Sequence, residues 1–394
     1  MHFLWTISLI TGIILTNPLF AQSEQLQVPQ CLATHLAIQH KILAENKAFK
    51  IIDIPLTEMD NLVLQADEMG CGYFINLSQY FAGTSFSAQR QLAQTLLAKT
   101  RKKKLTSVTL NYKVQHQEQV EAALKIVNSA KVWQTLDHLT SYYNRSATET
   151  TGLQTAEWLK AQFENLVLAS GRQDSRAYFV KTRAPYQQPS LVTVIGKDLK
   201  TPAIVIGAHM DTLSGLMPGA GDNASGSATI LEAARILLGS KMTLKRPIYI
   251  IWYAAEERGL VGSQAVVVDF LTNNIPVKAV MQLDMAGHRH DDNDPTLWLY
   301  RDVTDKTLNH FVAELINTYL KVPVAYSQCG YACSDHASWA AKGFSTTFPV
   351  ETSFAEHNPY IHSSTDTLSL LNTEHLMNFT KLALAFAMEL ALSE

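Results

Sequence analysis

Apolar positions recur along this chain in two rhythms. From residue 190 onward, short apolar runs of strand length appear at Ser190–Ile195, Ala203–Ile206, Pro247–Tyr253, Ala279–Leu283, Thr296–Leu299 and Phe344–Val350. Between several of them the spacing changes to that of a helix with one buried face, at Ser225–Leu238, Ser263–Thr272 and Asp305–Leu320. Two further helical stretches precede the first run, Ala122–Leu139 and Gly152–Leu166, and Glu374–Leu392 closes the chain. Strands alternating with helices predict an α/β fold, a mainly parallel central sheet with helices on both faces. Ala286–Asp294 is polar and reads as a loop. No internal repeat interrupts the pattern.

The first third follows a different plan. Phe3 to Leu15 is almost wholly apolar, and Ala21 offers a small residue before Gln22, so residues 1–21 read as an export signal. The run is too short to span a bilayer, and no later segment is long enough either. Residues 22–115 carry candidate strands at Phe49–Ile54 and Thr106–Tyr112 and a candidate helix at Ala88–Lys99, but no cluster of metal-ligating residue types. They form a small α+β unit between a signal and the α/β region 116–394, a position that suits a pro-segment. The basic run Arg101–Lys104 near its end would suit a processing protease.

Composition narrows the field. Hydrophobic residues make up 47% of the 394 positions and charged residues 17%, as in a folded globular chain. The formal net charge of −3 leaves no basic field for nucleic acid. Four cysteines in an exported chain suggest bridges, first between Cys329 and Cys333, which are close in sequence. Nothing local decides whether Cys31 and Cys71 pair.

Polar residues of one chemical kind gather where the apolar runs end. His209 and Asp211 follow the second run, Glu256 and Glu257 the third, and Asp284 the fourth. Asp222 stands in a Gly-rich turn opening a helix, and His362 lies in a loop near the C-terminus. Open α/β sheets bind ligands beyond the carboxyl ends of their strands, so these residues should converge. Carboxylates so concentrated repel one another unless a cation neutralises them. Imidazole with carboxylate suits zinc, and two metals sharing one carboxylate would use this many ligands.

The segments AAEERGLVGS (254–263), QLDM (282–285), CGYACSDHASW (329–339) and NPYIHSSTDTL (358–368) resemble those of the co-catalytic di-zinc leucyl aminopeptidases made by bacteria. The resemblance covers roughly residues 120–394 and implies the zinc-peptidase fold. It implies a secreted enzyme, expected to act as a monomer, that uses two zinc ions to release leucine-like residues from peptide N-termini. Carried over residue by residue, it makes Asp222 the bridging ligand, with His209 and Asp284 on one zinc and Glu257 and His362 on the other. Glu256 resembles the general base that takes a proton from the attacking water. Asp211 would hold the His209 imidazole, and Tyr331 would donate to the reacting carbonyl. Met285, Cys329, Tyr331, Cys333, Phe348, Phe354 and Ile361 would line the pocket for the first side chain. His357 departs from the family, whose close members tend to carry an aromatic pocket residue there.

Two other enzyme readings compete, the first of them with the same ligand order. Zinc carboxypeptidases and aminoacylases usually insert a lid domain before the last histidine, and the stretch from Asp284 to His362 is too short and too full of elements to hold one. Glutaminyl cyclase, on a similar fold, uses one zinc. A binding module with a vestigial site is disfavoured because neither a ligand nor the base is missing.

Overall fold

The computed structural model describes residues 22–99 and 112–393. The expected export signal, the basic run Arg101–Lys104 and most of the candidate strand Thr106–Tyr112 lie outside the described residues.

The N-terminal unit is built on an antiparallel sheet of order β2-β3-β1-β4, with β1 at Ser23–Pro29, β2 at Lys41–Glu45, β3 at Phe49–Pro55 and β4 at Ile75–Asn76. Helices α1 (Gln30–His35), α2 (Met59–Met69) and α3 (Phe86–Lys99) pack on it. Leu26, Val28, Ile52 and Ile54 from the strands meet Leu62 and Val63 of α2 in one buried cluster. Leu213 and Met217, from the second unit, pack on this same cluster, so the apolar contact runs between the two units. Polar contacts add to it. Arg183 forms an ion pair with buried Glu24, and Arg258 lies 2.7 Å from Asp60.

The second unit opens with α4 (Gln117–Leu124), α5 (Ser129–Thr140) and α6 (Thr150–Ser170). The pattern predicted one helix over Ala122–Leu139, and the chain breaks it at Asn128. That side chain accepts from Ala130 N at 2.9 Å and starts α5 afresh, because an N-cap ends whatever precedes it. The main sheet follows, with β5 (Ser175–Val180), β6 (Ser190–Ile195), β7 (Ala203–His209), β8 (Ile248–Tyr253) and β9 (Val277–Gln282). A smaller sheet of order β11-β10-β13 lies beside it, formed by β10 (Leu297–Tyr300), β11 (Val324–Ser327) and β13 (Pro349–Val350). Helices α7 (Gly226–Gly239), α8 (Val261–Thr272), α9 (Lys306–Leu315), α10 (His336–Ala340) and α11 (Thr373–Leu392) complete the unit.

With β12 (Thr346–Thr347), the main sheet has six strands in the order β12-β9-β7-β8-β6-β5. The first four run parallel, and β6 and β5 are antiparallel. Alternation is visible inside each strand although both faces are apolar. Ile204, Ile206, Ile250 and Trp252 face the cluster with α7, α9 and α11, while Val205, Tyr249 and Ile251 face α8 and Trp339. A sheet covered on both sides needs this pattern. The fold is the mixed α/β architecture that the alternation of elements predicted.

The run Phe344–Val350 is not one strand. It leaves the main sheet after Thr347 and joins the small one at Pro349. Proline has no N–H to continue a ladder, and the switch leaves Phe348 at the corner between the sheets. Among the described residues no helix is long and apolar enough to cross a membrane.

Candidate metal centre and substrate cleft

β7, β8 and β9 are parallel neighbours, so their carboxyl ends open on one edge. His209 is the last residue of β7, Glu256 and Glu257 follow β8, and Asp284 follows β9. Asp222 stands in a distorted turn (Ala220–Ser225) that leads into α7, with φ −113° and ψ 98° in place of helical values. Such interruptions recur at functional sites because they re-aim a side chain. Ala255 (φ 52°), Met285 (φ 63°) and His362 itself (φ 54°) are left-handed. Each costs on the order of 1–3 kcal/mol and persists only where surrounding contacts hold it.

The ligand-type residues converge in two groups. One is His209, Asp222 and Asp284, and the other is Asp222, Glu257 and His362, with donor atoms in each group within 4.8 Å of one another. Asp222 belongs to both. Its Oδ1 lies 2.9 Å from His209 Nε2 and its Oδ2 lies 3.2 Å from His362 Nε2. Asp284 Oδ1 is 3.3 Å from His209 Nε2, and Glu257 Oε2 is 3.1 Å from His362 Nε2. Glu256 lines the same cleft but stands in neither group.

The residues fit a bound cation. Asp222 Oδ1 is buried with His209 Nε2 2.9 Å away and no well-formed hydrogen bond, an orphaned position that a cation would satisfy. Buried carboxylates outnumber buried cations here. Burial pushes Glu256 well above the usual carboxylate range and, with Asp222 facing it, takes Glu257 up to about 7. Burial opposes a charge on His209 and His362, but the facing carboxylates outweigh it and both are pushed up. Arg145 does not balance the charge directly. Its guanidinium is spent on the carbonyls of Leu139, Met210, Pro218 and Gly219, which fixes the loop before Asp222. Gly219 has φ +53°, and a Cβ there would stand 2.5 Å from the Asp222 carbonyl. Imidazole nitrogens with carboxylate oxygens are a zinc donor set.

Neighbouring groups orient these residues. Asp211 Oδ1 lies 3.5 Å from His209 Nδ1, and its two oxygens accept from Glu256 N and Glu257 N at 3.0 and 3.3 Å. One carboxylate thus ties β7 to the turn after β8. Sequence reasoning missed several others. Asp366 accepts from Gly221 N at 2.9 Å and Asp222 N at 3.0 Å, and Ser334 Oγ donates to Asp284 Oδ2 at 2.6 Å. Both lie inside segments already singled out, but a helper residue has no spacing signal of its own.

The cleft above holds about 470 Å³. Met285, Phe348, Phe354 and Ile361 line it, together with Tyr331, Cys333 and His357. Cys329, expected beside them, packs behind with Met285 and Phe348 and is not in the lining. Cys329 and Cys333 are disulfide-bonded, as are Cys31 and Cys71. Burial pushes the Tyr331 phenol up, so it stays a proton donor. His357 stacks on Phe354 with ring centroids 5.5 Å apart and so extends the apolar wall.

The N-terminal unit, which sequence reasoning credited with no ligand-type cluster, reaches this cleft. Ala66, Asp67, Glu68, Gly70, Gly72 and Tyr73 form one side of it. The Tyr73 hydroxyl lies 3.5 Å from Glu257 Oε2 and 3.4 Å from His362 Nε2. Asp67 Oδ2 is 2.6 Å from His362 Nδ1.

Residues 191–387 match the family described as Peptidase family M28. Leucine aminopeptidase 1 of Coccidioides posadasii is 35% identical over 302 residues, covering 73% of this chain and 77% of that protein. The crystal structure of the LapA aminopeptidase of Legionella pneumophila is 57% identical, with a TM-score of 0.90 over 95% of this chain and 99% of that one. LapB of Legionella pneumophila is 48% identical, with a TM-score of 0.87 over 94% and 100%. The match is in sequence as well as in fold, and the chain belongs to peptidase family M28.

Proposed function

We propose that the protein is a secreted, zinc-dependent aminopeptidase that binds two zinc ions and releases leucine-like residues from peptide N-termini. One observation carries this reading: two donor groups share the single carboxylate Asp222 at the floor of an apolar cleft. A shared ligand favours two ions over the single zinc of a cyclase. His209 and Asp284 would hold one ion, Glu257 and His362 the other, and Asp222 would bridge them. Zinc, when bound, acts as a Lewis acid and makes water nucleophilic near neutral pH.

The chain's own groups do the rest. Glu256 stands outside both donor groups, which supports a role in handling protons. Its carboxylate takes a proton from the attacking water and returns it to the leaving nitrogen. Asp211 holds the backbone of Glu256 and Glu257 in register for that task. Tyr331 donates its phenolic proton to the reacting carbonyl oxygen. The carboxylates of Glu257 and Asp222 receive the free amine, which restricts cleavage to the first residue. Met285, Phe348, Phe354 and Ile361 take an apolar first side chain and disfavour a charged one, which would be desolvated against them.

We further propose that residues 1–21 are a signal and 22–115 a pro-segment that covers the cleft until removed. The side chains of Asp67 and Tyr73 at the cleft support covering. Leucyl-nitroanilide assayed with and without a chelator tests the main reading. Activity should vanish with chelator, return with zinc at two ions per chain, and be absent on N-acetyl-leucyl substrate. Cleavage of the blocked substrate would make the enzyme an acylase or endopeptidase.

A further inference from the structure

Each histidine of the metal centre has a carboxylate at its outer nitrogen. For His209 it is Asp211, two residues along the same strand end, whose Oδ1 lies 3.5 Å from Nδ1 and outside hydrogen-bond geometry. For His362 it is Asp67, 295 residues away in sequence and belonging to the N-terminal unit, at 2.6 Å. His362 turns only Nε2 toward Asp222 and Glu257, so Nδ1 must carry the outward hydrogen. A histidine that ligates a metal through one nitrogen commonly donates the other N–H to a carboxylate, which fixes tautomer and ring orientation.

Local structure holds Asp67 at this point. α2 ends at Met69, and Gly70 (φ 58°) caps it in the left-handed form, donating to Asp67 O at 3.1 Å. The next residue, Cys71, is tied to Cys31 of α1. Gly72 (φ 79°) lies flat against Tyr331, where a Cβ would come within 2.8 Å of the ring. Tyr73 stacks on Phe74 at 5.2 Å, and Phe74 is buried in the core of the N-terminal unit. Each step of the segment is anchored, so Asp67 is delivered to His362 rather than resting near it. Its side chain keeps 35% exposure, whereas the His362 side chain keeps 7%.

We propose that Asp67 is a positioning residue for His362, so that the N-terminal unit completes the metal centre at the same time as it covers the cleft. The proposal rests on the two-zinc reading above. The covered chain then holds metal at the His362 position more tightly than a chain lacking this carboxylate, while Tyr73, from the same segment, stands where substrate would enter. Covering and metal retention are two effects of one segment, carried by different residues.

Zinc affinity separates them. The full chain and the variants Asp67→Ala, Asp67→Asn and Gln65→Ala, the last removing a contact of α2 with Ala37 N away from the centre, are titrated with zinc against a competing fluorescent chelator, with thermal unfolding as a check on folding. Asp67→Ala should weaken one of two zinc sites about 10–100-fold, the range for loss of such a partner. Asp67→Asn, which still accepts a hydrogen bond, should recover part of that loss, and Gln65→Ala should leave both sites as tight as in the parent. Parent-like affinity in Asp67→Ala overturns the proposal. An equal loss in Asp67→Ala and Gln65→Ala also overturns it, because displacement of the whole segment then explains the effect. If the parent itself binds only one zinc, the two-metal reading fails, a result separate from any effect of Asp67.

Discussion

At the residue scale the proposed mechanism gives adjacent glutamates different tasks. Glu256 and Glu257 share a turn and a backbone anchor, Asp211, yet only Glu257 stands within reach of His362 and Asp222. A group holding metal cannot also shuttle a proton, so the proposal puts the two roles on separate side chains. Glu256→Gln should therefore lose about 10³-fold in kcat, within the usual 10²–10⁴ for acid–base groups, while keeping its metal. Glu257→Gln should lose metal instead. Steady-state kinetics beside metal analysis reads both, and the reverse pattern would exchange the assignments.

A single loop governs half of the centre at the element scale. The stretch Asn358–Asp366 supplies His362, and its far end, Asp366, accepts the backbone N–H groups of Gly221 and Asp222. Asn358 Nδ2 adds a third donor to the same carboxylate at 3.2 Å. Asp222, the proposed bridge, and His362 are thus held by one segment, and a shift of it moves both. Asp366→Asn replaces an acceptor oxygen by a donor NH₂ and leaves one buried N–H unpaired, a cost of about 1–3 kcal/mol. It should lower the urea midpoint of unfolding accordingly and weaken zinc as well. Unchanged zinc affinity in a folded Asp366→Asn chain would show that the clamp does not matter to the ligands.

At the scale of the whole molecule, two units meet over the cleft through apolar and charged contacts, and trimming separates their contributions. Removing residues 22–115 from the purified chain should raise kcat/KM on leucyl-nitroanilide, with N-terminal sequencing placing the natural cut. Equal values for both forms would make the N-terminal unit a permanent accessory. The fold also carries an acid sensitivity. Burial pushes His336 and His375 down to about 4, because each packs as a neutral ring. In the unfolded chain both bind protons near the ordinary value of about 6.5. The unfolded state therefore binds more protons between those limits, and stability falls as pH drops from about 6.5 toward 4. Each group contributes a slope of about 1.4 kcal/mol per pH unit. His336→Gln should flatten that slope in urea unfolding measured across the interval, and an unaltered slope would remove His336 as a cause.

Period and punctuation were enough to find the α/β order, because a sheet buried on both faces writes continuous apolar runs into its strands. They also placed His209, Glu256, Glu257 and Asp284 at one edge, since parallel strands present their carboxyl ends together. Asn128 hid a helix start inside a helical rhythm, and Pro349 hid a change of sheet inside an apolar run, because caps and corners act locally against the prevailing pattern. What no periodicity carries is contact between distant segments. Asp366 reaches the backbone beneath Asp222, and Asp67 reaches His362 across 295 positions, through packing that exists only once both units have folded. Ligand-type residues are legible because their chemistry is rare in an apolar run. The residues that hold them are common ones, and only their positions in space give them a task.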